Sequence, residues 1–157
     1  MQRPTRMMIV DDNAGDRHLL REALAEAGWA AEITEAPSGI AAIALLQRLS
    51  LQGLPPDLIL LDYVLREDSC EVVIERIRAL SEYENCPIIV MTSALPPPGN
   101  QEHCFALGVL RIVIKPCDFP AIIVLMAKLK KIFAGKTQRS GSGKTMSDSD
   151  LALLATT

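Results

Sequence analysis

Two short apolar runs in this chain stop abruptly at acid: Met7-Met8-Ile9-Val10 runs into Asp11-Asp12, and Leu58-Ile59-Leu60-Leu61 runs into Asp62. Buried strands end this way when they deliver side chains to the rim of a sheet. Two further runs behave alike, Ile88-Ile89-Val90-Met91 ending in Thr92-Ser93 and Ile112-Val113-Ile114 ending in Lys115-Pro116. Acid pair, acid, hydroxyl and amine would thus gather at the C-terminal ends of four strands, the edge where open parallel sheets place ligands. Carboxylates crowded together need a cation, and magnesium suits them: it takes oxygen ligands, keeps several waters and commonly bridges one or two carboxylates to a phosphate. Asp12 and Asp62 would bind it directly and Asp11 mostly through water, while the main-chain carbonyl of Val64 can supply a further ligand. A carboxylate oxygen can itself attack a phosphoryl group held in line, after which the surroundings need only position it and neutralise its oxygens. Asp62 is the candidate acceptor, Lys115 a point charge for one oxygen, and Thr92 a hydroxyl donor to another.

The elements that must position these residues follow from periodicity. Between Gly15 and Ala27, apolar residues at 19, 20, 23, 24 and 27 form a helical stripe that Gly28 terminates. Ala31–Ala36 alternates polar and apolar, as a partly exposed edge strand does. Ser38 is placed to cap a second helix through about Leu49, with Ile40, Ile43, Ala44 and Leu46 inward, before Gly53 and Pro55-Pro56 break the chain. A third helix is expected from Cys70 to Leu80. The run Pro96-Pro97-Pro98-Gly99 leaves only about Asn100 to Leu107 for a fourth. Asp118 to Phe133 reads as the last helix, with Ile122, Leu125, Met126, Leu129, Ile132 and Phe133 on one face. Five alternating strand-helix units imply parallel strands joined by right-handed crossovers, hence an α/β, doubly wound (βα)5 sheet of order 2-1-3-4-5, in which strands 1 and 3 are neighbours.

Composition narrows the field of functions. The 157 residues, 49% apolar with a formal net charge of −3, suffice for one domain with a full core. The basic residues are scattered apart from Lys128, Lys130 and Lys131, which is no footprint for nucleic acid. The longest apolar stretch, Ala121 to Ala127, falls far short of the roughly 20 residues of a membrane span, and no secretory signal layout opens the chain, so a cytoplasmic location is expected. Cys70, Cys86, Cys104 and Cys117 show no metal-ligand spacing and read as interior or incidental thiols. His18 and His103 read as surface residues. From Gly135 the composition turns to Gly, Ser, Thr and Lys, so residues 135–157 are expected to be a flexible tail. Its Gly141-Ser142-Gly143-Lys144-Thr145 lacks the earlier glycine and the strand-helix context of a phosphate loop.

Taken with their order along the chain, the acid pair after strand 1, Asp62 after strand 3, Thr92-Ser93 after strand 4 and Lys115-Pro116 after strand 5 resemble the receiver domain of two-component response regulators, over residues 6–134. The wording Asp11 to Arg17 and the long loop Leu49 to Asp57 most resemble single-domain regulators that serve phytochrome-type histidine kinases. The resemblance implies a flavodoxin-like fold and a Mg2+-dependent phosphorelay in which a histidine kinase donates its phosphoryl group to Asp62. It implies a signalling phosphoprotein that catalyses at most its own phosphorylation and dephosphorylation. Three places depart from the family pattern: Arg66 and Cys70 stand where proline and glycine are usual in the loop after the acceptor, Ile112 stands at the aromatic switch position, and the triple proline Pro96-Pro97-Pro98 shortens the fourth helix. A second reading is therefore a pseudo-receiver, an interaction module that works without phosphorylation. An enzyme of the haloacid-dehalogenase kind is disfavoured, because Val64 stands where its second aspartate would be. Val64 and Ala94 also replace the polar residues that help water attack the phosphoaspartate in some receivers, which implies a long-lived phosphoryl group. Finally, the six consecutive apolar residues Ala121 to Met126 must point all around the last helix, so a homodimer through the Ile122, Ile123, Leu125 and Met126 region is expected.

Overall fold

A computed structural model of the chain describes residues 3–138. Five strands, β1 (Thr5–Val10), β2 (Ala31–Ala36), β3 (Leu58–Asp62), β4 (Ile88–Thr92) and β5 (Arg111–Ile114), pair in parallel in the order β2-β1-β3-β4-β5. This is the flavodoxin-like, doubly wound arrangement expected. The three central strands are apolar without alternation because both of their faces are covered: Met7 and Met8, Leu58 through Leu61, and Ile88 through Val90 are all essentially inaccessible. The alternating β2 lies at an edge and remains partly exposed.

Between the strands come α1 (Ala14–Glu26), α2 (Gly39–Leu51), α3 (Cys70–Ala79), a 3-10 turn (Ser81–Tyr83), α4 (Pro98–Ala106) and α5 (Phe119–Gln138). The described residues form two compact units, one of them made by residues 3–18 with Ala31–Lys115, the other by Leu19–Ala30 with residues 116–138. In the first, Met8, Val10, Ile59, Leu61, Ile88 and Val90 form one cluster with Ala42, Leu46, Val73, Ile74, Ile77, Tyr83 and Cys104. That cluster includes three of the four cysteines, Cys70, Cys86 and Cys104, while Cys117 is exposed.

Helix caps explain where the helices begin. Ser38 Oγ accepts from Ala41 N at 3.1 Å and Ser69 Oγ from Val72 N at 3.2 Å. The inward face of α2 differs from expectation: Gly39, Ala42 and Leu46 are buried, while Ile40 is 60% exposed and Ala44 is exposed. Gly39 sets this rotation, since a Cβ there would lie 2.5 Å from Val73 Cγ2. The helix approaches α3 too closely for a side chain, and larger residues turn outward. Helix α4 starts two residues earlier than expected, with Pro98 in its first turn, where the missing N–H costs nothing; the Pro97 carbonyl receives Asn100 N and Gln101 N.

In the second unit, Gly28 at φ +69° reverses the chain after α1, with Trp29 N donating to Leu24 O at 3.0 Å. Lys130 Nζ donates to Gly28 O at 2.8 Å, and the Trp29 and Phe133 rings lie 5.9 Å apart. Helix α5 runs through Gln138, so the first residues of the expected tail are helical; the rest of that tail, 139–157, lies outside the described residues. The expected dimer surface on α5 needs correction. Leu125 and Met126 are 2% and 0% exposed within a single chain, which leaves Val124, at 49%, with the half-buried Ile122 and Ile123.

Arg78 holds the loops around α3. Its guanidinium donates to four main-chain carbonyls, those of Leu107 (2.8 Å), Tyr83 (2.8 Å), Cys86 (2.7 Å) and Gly108 (3.1 Å). Burial lowers its pKa without discharging it. Arg78→Met should fill similar space but strand these carbonyls, costing about 2–3 kcal/mol of stability in urea unfolding; a change below about 0.5 kcal/mol would show that water replaces the guanidinium freely.

Candidate functional site

The register of the sheet brings the acids together. Val10 pairs with Leu61, so the next step along β1 and β3 sets Asp11 beside Asp62. Asp11 is clamped on both sides, its N–H donating to Ala36 O at 3.1 Å and its carbonyl accepting from Arg17 at 2.7 Å. Arg17 is itself held by Glu35 at 3.0 Å. Asn13 N donates to Asp11 Oδ1 at 2.9 Å, and Asn13 Oδ1 accepts from Asp16 N at 2.9 Å, opening α1 directly above the acids. On the other side, Thr92 pairs with Ile114, and Lys115 N donates to Thr92 O at 2.7 Å.

Carboxylate oxygens of Asp11, Asp12 and Asp62 consequently lie within 4.8 Å of one another. Three hard oxygen donors at that spacing fit magnesium or manganese and suit a soft metal poorly. Lys115 Nζ stands 2.9 Å from Asp11 Oδ2, 3.4 Å from Asp62 Oδ1 and 3.5 Å from Asp16 Oδ2. Burial alone would lower the Lys115 pKa, but the hydrogen bond and charge of Asp11, with Asp62 and Asp16, outweigh it and raise it. Asp62 is pushed up to about 6: burial is the largest cause and Asp11's charge adds to it, while Lys115 and the Val64 N–H, at 3.3 Å, offset part. Lys115 and Arg66, the latter 3.3 Å from Asp12, thus bring two positive charges to four carboxylates, and a divalent cation would offset the remainder.

The remaining candidates are placed as follows. Thr92 is buried at the end of β4, but its hydroxyl donates to Ala94 O at 2.6 Å, so it is engaged with its own loop. Val64 is 63% exposed and bridges Ser69. His18 lies exposed on α1, and His103 pairs with Glu75 at 3.2 Å on the surface. Two residues of the site were missed in the sequence. Asp16, in the first turn of α1, shares Lys115, and its place four residues after Asp12 was an available signal. Arg66 places Nε 3.3 Å from Asp12 Oδ2, which no spacing announces. Behind the site, Glu71 Oε1 accepts from Tyr63 Oη at 2.9 Å and from Asn100 Nδ2 at 3.1 Å, tying the residue after Asp62 to α4.

Comparison with known proteins agrees with this fold. The family described as response regulator receiver domain matches residues 7–127. A protein-glutamate methylesterase/protein-glutamine glutaminase of Trichodesmium erythraeum (strain IMS101) is 32% identical over 115 residues, 72% of this chain and 30% of that protein. The chain spans less than two thirds of the length of these curated relatives, from 14% of a sensor histidine kinase of Ectopseudomonas mendocina to 59% of a two-component response regulator of Oryza sativa subsp. indica. Among solved structures, the phosphorylated cyanobacterial phytochrome response regulator RcpA superposes with a TM-score of 0.75 at 22% identity, covering 85% of this chain and 96% of that one. The Mn2+-bound form of response regulator Rcp1 gives 0.70 at 23% identity, covering 83% and 94%.

The Asp62 shift carries a pH signature. In the unfolded chain this carboxyl ionises near pH 4, in the folded chain near 6, so the folded state holds the proton more tightly. Its contribution to stability is complete below about pH 4 and lost as pH rises through about 6. Metal-free Asp62→Asn should escape that loss and be about 1 kcal/mol more stable than the wild type at pH 7, solvent screening being allowed for, with the gap closing by pH 4. Equal stability at both pH values would contradict the crowding of charge described above.

Proposed function

Because the chain belongs to the response regulator receiver domain family, we propose that it accepts a phosphoryl group on Asp62 from a histidine kinase, with Mg2+ as cofactor, and relays the signal by protein contact. The convergence of Asp11, Asp12 and Lys115 on Asp62 is the observation that carries this reading. Relatives under 25% identical support the fold, and two of them are described as phosphorylated and as Mn2+-bound. The first is a phytochrome response regulator, which favours a phytochrome-type kinase as the donor. A cytoplasmic location follows from such a partner; no helix of the described residues is long and apolar enough to cross a membrane.

In the transfer, an Asp62 oxygen forms a bond to phosphorus as the bond from phosphorus to the kinase's histidine nitrogen breaks, and the released imidazole takes a proton from solvent. Asp62 must be ionised to attack, and Lys115 sustains that form. Asp11, Asp12, Asp62 and the Val64 carbonyl would hold magnesium, which supplies charge neutralisation for the phosphoryl oxygens. Lys115, 3.4 Å from Asp62 at the outset, can turn to a second oxygen. Thr92 reaches a third only by surrendering Ala94 O, so transfer at Asp62 is coupled to movement of the loop before α4. With Ile112 in place of an aromatic, that loop carries the signal without a ring switch.

Incubation with magnesium and a small phosphodonor should add about 80 daltons, one phosphoryl group, and Asp62→Asn should remove the adduct. An adduct that persists in the variant sinks the site, and none in the wild type favours the pseudo-receiver. With Val64 and Ala94 unable to position water, the adduct should last far longer than seconds; decay within seconds would contradict this. A second copy of the chain is the further partner proposed, through Val124 of α5. Val124→Lys should shift sedimentation toward monomer, and an unaltered dimer would exclude this surface.

A further inference from the structure

Arg66 is the residue of the site that the proposed transfer leaves without a task. It sits four residues after Asp62 on the loop between β3 and α3, with 83% of its side chain exposed and Nε 3.3 Å from Asp12 Oδ2. Its loop is pinned at both ends. Val64 bridges Ser69, Val64 N donates to Asp62 Oδ1 at 3.3 Å, and Ser69 caps α3. Within that span Asp68 is held by Arg76 at 3.3 Å. The loop therefore projects from the rim with Arg66 directed at Asp12.

The charges divide unevenly around the cradle. Lys115 lies within 3.5 Å of Asp11, Asp62 and Asp16, whereas Asp12 is matched by Arg66. We infer that Arg66 is a built-in competitor for the divalent-cation site, its guanidinium holding Asp12 in the metal-free chain and releasing it when the cation binds. This rests on the cradle being a metal site, as proposed above, and adds a regulator of its affinity. A guanidinium pair this exposed is weak and screened by salt, whereas a divalent ion drawing on three carboxylates is strong. The metal wins the exchange, so Arg66 tunes the site without closing it. Two effects act in the same direction: the ion pair must be broken, and the displaced guanidinium stays on the loop as a like charge beside the cation.

Calorimetric titration with magnesium chloride, at about 50 mM and about 500 mM monovalent salt, tests this. At low salt Arg66→Gln should bind magnesium about threefold more tightly than the wild type, the size expected for removing one screened unit charge at contact range. Arg66→Lys, which keeps the charge, should stay closer to the wild type, and the difference between Gln and wild type should shrink at high salt. In NMR spectra of the wild type, the Arg66 Nε–Hε resonance should move on titration with the calorimetric midpoint. Equal affinity of wild type and Arg66→Gln would overturn the inference. So would weaker binding by Arg66→Gln, which would mean that the arginine builds the loop. A wild type that takes up no magnesium would overturn the cradle itself, and this inference with it; uptake with no dependence on residue 66 would overturn the inference alone.

Discussion

Repulsion among three carboxylates governs this molecule. Asp11, Asp12 and Asp62 approach to within 4.8 Å although Asp11 is 1% exposed and has little water to shield it. No isolated carboxylate would accept such a place. The arrangement stands because strong structure enforces it: parallel pairing of β1 with β3, a main-chain clamp on Asp11 by Ala36 and Arg17, and a lysine presented from β5. Burial first, and the charge of Asp11 with it, push the Asp62 carboxyl up to about 6.

The neutralising groups are graded by rigidity. Lys115 is fixed by its own backbone bond to Thr92 and by Asp11. Arg66 reaches in from an exposed loop and holds less firmly. Thr92 is withheld, its hydroxyl spent on Ala94. The three groups stand on different loops, each with a different present partner. The loop after β4 leads into α4, and the residue after Asp62 is joined to α4 through Glu71 and Asn100. Charge at the rim is thus connected by hydrogen bonds to a helix whose start is stiffened by three prolines.

The family pattern departs where the loops do their work. Cys70 begins α3 with its side chain in the core, so the position usually given to glycine has become a packing residue. Ile112 is half-buried against the same cluster. Both residues pack in or against the apolar cluster, while Lys115 keeps its contacts with Asp11 and Asp62.

Much of the architecture was legible because it is encoded locally. Unbroken apolar runs ending at acid located β1 and β3, alternation located β2 at its observed bounds, and Ser38 marked the start of α2. Parallel order then forced Asp11 and Asp62 together, since strand ends are set by the runs themselves. Other features depended on contacts that no local pattern carries. Gly39 against Val73 chose the buried face of α2. The depth at which Leu125 and Met126 are buried removed them from any interface. The partnering of Arg66 with Asp12, of Asp16 with Lys115, and of the Thr92 hydroxyl with Ala94 is a matter of loop path and rotamer. Backbone propensity and hydrophobic period act over a few residues and are written in sequence; the choice among side-chain partners is made by distances across the folded chain, and only tertiary structure decides it.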